Sequence, residues 1–171
     1  MNAPTYWKEH ARSVRDSGLV ALVALMVSVL VAYTGVQTSS PSLRTAAFWI
    51  TVVSAVLKLR AAAAETQFIL EARREVHRDW LDVRSGEVEA AKRTIGHGLR
   101  GLLGTWSMLL VLSLFAPVQH ILAQVPGGES ALFLVCLSVA AQTLFTSVTA
   151  KQIARSLTQL DSLPPISVIR L

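Results

Sequence analysis

The sequence predicts an all-α polytopic membrane protein with four transmembrane helices and a cytoplasmic helical hairpin between spans two and three. Hydrophobic residues make up 52% of the 171 residues and charged residues only 16%, and the mean hydropathy is +0.48. Four long apolar stretches divide the chain, and most of its charge lies between the second and the third. Such a pattern is typical of paired membrane spans joined by a polar extension.

The first 17 residues are predicted to be a cytoplasmic, basic N-terminal segment. Tyr6 and Trp7 have amphipathic rings that favour the headgroup level of a bilayer. Two interpretations stay open for this segment: a short helix lying in the membrane interface, or a frayed basic start.

Residues 18–64 are predicted to form transmembrane hairpin one. No charged residue interrupts 18–36, a stretch that spans roughly 28 Å as a helix. The second span must cross the same thickness, which places Lys58 and Arg60 in its inner third. Long basic side chains near a helix end can extend to the headgroups, and this interpretation is favoured over a polar path that includes Lys58.

Residues 65–100 are predicted to form the cytoplasmic helical hairpin, with Gly86 at its turn in a left-handed cap. Apolar residues recur at steps of three and four on both arms, so that the two stripes can face each other. The stripe residues are Ile69, Ala72, Val76, Trp80 and Val83 on the first arm, and Val88, Ala91, Ile95 and Leu99 on the second.

A run of glycines leads from the second arm into transmembrane hairpin two, residues 101–151. Glycine is unfavourable in a helix and lets helix backbones approach closely. The sequence therefore makes these glycines candidates for close packing between the two hairpin arms, with a hinge as the alternative. They are Gly96, Gly98, Gly101 and Gly104.

Span four carries polar residues at helical spacing, which are expected to turn toward other helices or to line water. Together with one cation of span two they form a candidate polar path: Lys58, Ser138, Gln142 and Thr146. The remaining residues, 152–171, are predicted to be a cytoplasmic tail in which Pro164 and Pro165 prevent helix.

No sequence motif for catalysis, cofactor binding or metal binding is present, so no catalytic, cofactor-binding or metal-binding residue is proposed and the protein is not expected to be an enzyme. Cys136 is the single cysteine and lies in an apolar run. No carboxylate falls in a span centre, which disfavours a proton- or cation-coupled carrier. The net charge is +5, but the basic residues are interleaved with acidic ones, so nucleic acid is not an expected partner.

Of the 16 lysines and arginines, 15 lie in or directly beside the N-terminal segment, the hairpin region of residues 57–104 and the tail, and only Arg44 lies near the turn between spans one and two. The positive-inside bias then places both termini and the hairpin in the cytoplasm, in a bacterial inner membrane. The expected partners are membrane lipid, further copies of the chain, and a cytoplasmic protein that binds residues 65–100 and the tail.

The leading functional hypothesis is a non-enzymatic, self-associating membrane protein whose hairpin senses or docks a partner and controls a channel-like or membrane-permeabilising element. The alternative is an anchor subunit of a larger complex. A small transporter is the third hypothesis, with Lys58 and Gln142 as its candidate binding residues.

The topology can be tested with reporter fusions. A reporter placed after Ser85 or after Leu171 should give a cytoplasmic signal, and one inserted at Gly127 should give an external signal, because the basic residues stay inside. An external signal at Ser85 would contradict the predicted orientation.

Overall fold

The computed structural model of the protein describes residues 3–78, 85–122, 124–125 and 128–162. It contains four α-helices: α1 (Ala3–Gln37), α2 (Pro41–Arg78), α3 (Ser85–Leu122) and α4 (Gly128–Ser162). With 35 to 38 residues each, the helices are about 52–57 Å long, well beyond the hydrocarbon thickness of a bilayer. All four are long and apolar enough to cross a membrane.

The helices form an antiparallel four-helix bundle. α1 packs mainly on α2 and α4, and α3 packs on the same two helices from the opposite side, while the diagonal pairs touch little. Ser28 contacts Ala47 and Ser54 contacts Ala21, so residue numbers rise on α1 as they fall on α2. This up-and-down order is the simplest one for helices joined by short connections.

The connection between α1 and α2 closes with a Schellman motif. Ser39 takes a left-handed backbone conformation with φ of 51°, its N–H donates to the Val36 carbonyl at 3.1 Å, and the Ser40 N–H donates to the Gly35 carbonyl at 2.9 Å. These bonds satisfy the last carbonyls of α1. Pro41 then occupies the first position of α2, where a missing N–H costs nothing.

The outer surface of the bundle divides it into two halves. In the apolar half, large hydrophobic side chains point outward on all four helices, within residues 19–33, 49–59, 103–121 and 133–148. In the charged half, the exposed residues are mostly basic or acidic. The boundary lies near Asp16 on α1, Arg60 on α2, Arg100 on α3 and Lys151 on α4.

The interior contains two apolar clusters, one in each half. The cluster of the apolar half consists of Leu25, Leu112, Phe115, Leu132 and Val139. The cluster of the charged half is larger and takes residues from all four helices, including Trp7, Phe68, Ile95 and Ile153. Both ends of the bundle therefore have a packed core of their own.

The N-terminal segment is helical from Ala3 and continues into the first apolar stretch without a break. Trp7 is only 6% exposed and packs edge-on against Phe68 of α2, with ring centroids 5.9 Å apart. The Tyr6 hydroxyl donates a hydrogen bond to Glu71 at 2.8 Å. From Ala3 onward, the segment is thus neither frayed nor detached from the bundle, because its aromatic rings complete the core of the charged half.

The apolar stripes predicted for the hairpin are buried or partly buried where the structure describes them, but in a four-helix environment. Ile69, Ala72 and Val76 of α2 and Val88 of α3 share one cluster with residues of α1 and α4. Gly86 does not form a left-handed cap: it lies in the first turn of α3, which begins at Ser85. The connection between α2 and α3 lies within 79–84, and this segment and the Pro164–Pro165 end of the tail are outside the described residues.

Substitutions at Gly96 and Gly98 separate the effect of side-chain packing on stability from the effect of helix propensity. A Cβ at residue 98 would lie 3.1 Å from Ile153 Cδ1 and 3.3 Å from Ile69 Cδ1, whereas nothing lies within 4 Å of one at residue 96. Leucine improves helix propensity by nearly 1 kcal/mol at either position. We expect Gly98→Leu to lower the free energy of unfolding in detergent by about 1–3 kcal/mol through overpacking, and Gly96→Leu to leave it unchanged or raise it. Equal effects of the two variants would contradict this.

Candidate functional site

A layer of polar side chains lies in the interior between the two apolar clusters, near the boundary of the two halves. Four of them are buried and the fifth, Gln142, is half-buried: Lys58 and Glu65 of α2, Thr105 of α3, and Gln142 and Thr146 of α4. We refer to these five residues as the polar layer. Lys58 and Glu65 are seven residues apart, a spacing that puts both on the same face of α2.

The carboxylate of Glu65 links three helices. Its Oε2 atom accepts a hydrogen bond from Thr105 Oγ1 at 2.9 Å, and its Oε1 atom accepts one from Thr146 Oγ1 at 3.3 Å. Glu65 is 5% exposed. Because a buried carboxylate is costly unless its oxygens are hydrogen-bonded, the two threonines are what makes this burial tolerable.

Gln142 extends the network on α4. Its Nε2 atom donates to Thr105 Oγ1 at 2.8 Å and to the Gly101 carbonyl at 3.3 Å. A Cβ at Gly104 would lie 3.0 Å from the Gln142 Oε1 atom, so the absence of a side chain there leaves room for the amide. Glutamine and glycine therefore fit each other where α3 and α4 meet.

Lys58 and Arg60 differ in their surroundings. Lys58 is 2% exposed and lies inside the bundle, on the same face of α2 as Glu65. Arg60 is exposed on the outer surface. Lys58 thus faces the other helices and Arg60 faces outward, and the extension of both side chains to the headgroups stays a prediction.

A second polar contact joins α1 and α2 within the apolar half. Ser28 Oγ donates to the Ala47 carbonyl at 2.7 Å and contacts the Thr51 hydroxyl. Ser54 Oγ donates to the Ala21 carbonyl at 2.8 Å. Small hydroxyl-bearing residues of this kind let membrane helices pack closely, and each hydrogen bond adds modestly to the stability of the helix pair.

The structure places the site residues predicted from the sequence in different surroundings. Lys58, Gln142 and Thr146 come together in the polar layer, but Ser138 is exposed and donates back to the Leu134 carbonyl of its own helix at 2.8 Å.

The sequence analysis missed Glu65, which it assigned to the first arm of the cytoplasmic hairpin. The available signal was periodicity, since Glu65 continues the face of Thr51, Ser54 and Lys58.

The glycines predicted to pack against the first hairpin arm lie against α4 more than against α2. Gly98 lies against Ile153 of α4 as well as Ile69 of α2, Gly104 lies against Gln142, and Gly96 has open space. A Cβ at Gly101 would lie 2.6 Å from Phe145 Cε1. Because the Phe145 ring is 48% exposed, it can swing outward, so substitution at residue 101 is easier to accommodate than at residue 98.

The chemistry that this arrangement offers is hydrogen bonding and charge, at a point where α2, α3 and α4 meet. Within the described residues, no three His, Cys, Asp or Glu side chains lie close enough together to hold a metal ion. Comparison of the chain with protein-family models, with curated proteins and with solved structures finds no match. The fold and the polar layer define the class, a four-helix bundle with membrane-spanning composition and a buried charged layer.

The charge balance of the polar layer can be tested with a double-mutant cycle. Lys58→Met removes the ammonium group and Glu65→Gln removes the carboxylate, so each single change should lower the free energy of unfolding by about 1–3 kcal/mol, because buried polar groups lose a partner. The double variant should be less destabilised than the sum of the two, because no charge is left unbalanced. Unfolding in detergent, followed by helical circular dichroism, measures all three.

Arg60→Met is the matched control for this cycle, since it removes an exposed cation two residues away. We expect it to change the free energy of unfolding by less than about 0.5 kcal/mol. Strict additivity of the Lys58 and Glu65 changes would show that the two charges do not interact.

Proposed function

We propose that the protein is a non-enzymatic, self-associating integral membrane protein in which the polar layer gates a channel-like or membrane-permeabilising element. The observation that carries the proposal is the burial of Lys58 and Glu65 within a bundle of membrane-spanning composition. Ionisable residues inside membrane bundles are expensive, and they commonly mark ion or proton pathways. A purely structural bundle of this length could be built with apolar residues alone.

In the proposed orientation, the apolar half crosses a bacterial inner membrane and the charged half lies in the cytoplasm. The outward hydrophobic surface of residues 19–33, 49–59, 103–121 and 133–148 supports the placement of the apolar half in a membrane. So does Trp106, whose half-exposed indole lies near the boundary and donates to Thr66 at 3.4 Å, since tryptophan favours the headgroup level. Both termini and the connection between α2 and α3 would then be cytoplasmic.

The polar layer is closed in the structure, with Leu25 and Phe115 in the cluster on one side and Phe68 and Ile69 in the cluster on the other. Conduction would therefore require that the helices rearrange or that several copies associate. Since the same helices run through both halves, a partner that binds residues 65–100 or the tail could shift α2 and α3 and thereby open the layer. This coupling is the sensing role that we propose for the charged half.

A second candidate function is that of a structural anchor in a larger complex. The observation that favours it is the saturation of the polar layer, where both Glu65 oxygens and the Gln142 amide nitrogen have hydrogen-bond partners. Such a network can specify how helices pair without conducting anything. A small transporter is less well supported, because the polar layer lies near the boundary of the two halves, whereas transporter sites lie near the midplane.

Depolarisation on overexpression separates the two leading functions. The wild-type protein should collapse the membrane potential of the producing cells, measured with a voltage-sensitive dye. Gln142→Leu removes the donor to Thr105 and should reduce this leak about tenfold. Ser138→Leu is the matched control: it adds the same side chain one turn away on the exposed face of α4 and should leave the leak unchanged.

Membrane content of the three proteins must be equal for this comparison. An intact potential with the wild-type protein would overturn the gate and favour the anchor, for which copurifying proteins would then be identified. Equal loss of leak in both variants would show that helix packing in general, and not the polar layer, controls permeability.

A further inference from the structure

A groove with basic walls runs between α1 and α4 in the charged half. It has a volume of about 300 Å³ and is lined by Lys8, Ala11, Arg12, Arg15, Ser147, Lys151, Ala154 and Arg155. Five of these eight residues are cations, from two helices far apart in the sequence. The groove is separate from the polar layer, and neither the hairpin nor the candidate polar path of the sequence analysis includes it.

The shape of the groove follows from residue size. Ala11 and Ala154 are buried, and as the smallest side chains at this level they leave space between the helices. On the membrane side, the helices come close together, since a Cβ at Gly18 would lie 3.1 Å from Thr143 Cγ2. The groove thus begins where this close contact ends and opens toward the charged half.

The groove lies where the outer surface changes from apolar to charged. One turn from Arg15, Leu19 is exposed on α1, and Val148 is exposed on α4 one turn from Lys151. A molecule with its anionic part among the cations could therefore lay hydrocarbon along the exposed side chains above it. This combination of charge and apolar surface suits an amphiphile better than a small free anion.

Like charges held together on two packed helices repel each other, and little inside the groove offsets this. Among the lining residues, Arg15 forms a salt bridge with Asp16, with Nη2 and Oδ1 2.8 Å apart. Both side chains are about half exposed, so this ion pair is weak. The lining itself contains no acid. An anion with several acceptor oxygens would relieve the repulsion and take up the donors of lysine and arginine together.

We propose that the groove between α1 and α4 binds the phosphate of an anionic phospholipid headgroup, with the acyl chains along the apolar half of the bundle. Basic pockets between membrane helices on the cytoplasmic side are suited to such headgroups. The binding would hold α1 against α4 where the two helices leave the bilayer. It does not depend on whether the polar layer conducts.

The experiment uses the full-length protein in neutral detergent, titrated with phosphatidylglycerol or with phosphatidylcholine, while its melting temperature and bound lipid are measured by thermal unfolding and native mass spectrometry. We expect phosphatidylglycerol, and not phosphatidylcholine, to bind and to raise the melting temperature. Arg12→Gln with Arg155→Gln should weaken phosphatidylglycerol binding about 25-fold, taking about fivefold for each cation lost near an anionic surface.

The control is Lys92→Gln with Arg100→Gln, which removes the same charge from exposed positions of α3 outside the groove. This variant should bind phosphatidylglycerol as the wild type does. Equal weakening in both double variants, or equal binding of the two lipids by the wild type, would overturn the site. A full shift of the melting temperature with inorganic phosphate alone would overturn its assignment to a lipid.

Discussion

The carboxylate of Glu65 accepts hydrogen bonds from threonines on two other helices, and the bundle has few other ways to bury it. A buried carboxyl group needs hydrogen-bond partners within reach, so α3 and α4 must present Thr105 and Thr146 at the height of residue 65. The register of three helices is thereby tied to one side chain. Apolar contacts alone specify register less strictly, because one leucine can replace another a turn away.

The other features of the middle of the bundle follow from this layer. Gly101 and Gly104 bring α3 close enough to α4 for the Gln142 amide to reach a backbone carbonyl and the Thr105 hydroxyl. Lys58 is buried two turns along the same face of α2. A packed apolar cluster lies on each side of the polar layer.

The charged half is a packed bundle in its own right, completed by the first turns of α1 and the last turns of α4. A signal received by the charged half would therefore act on a packed bundle and not on a loose extension. A partner binding at residues 65–100 would act on helices that continue directly into the apolar half, with Trp7 and Tyr6 holding α1 to α2. Rigid helices transmit small displacements over their whole length, whereas a flexible linker would absorb them.

The sequence by itself determined the helical class, the four apolar stretches and the apolar stripes near Ile69 and Ile95, because hydropathy and helical period are local properties of the chain. Only the tertiary structure decided which polar residues meet. Glu65 finds partners 40 and 81 residues away, which no local pattern encodes. Ser138 shows the limit of spacing: steps of four residues drift about 40° per turn around a helix, so a polar row that is buried at Thr146 has rotated to the outer surface by Ser138.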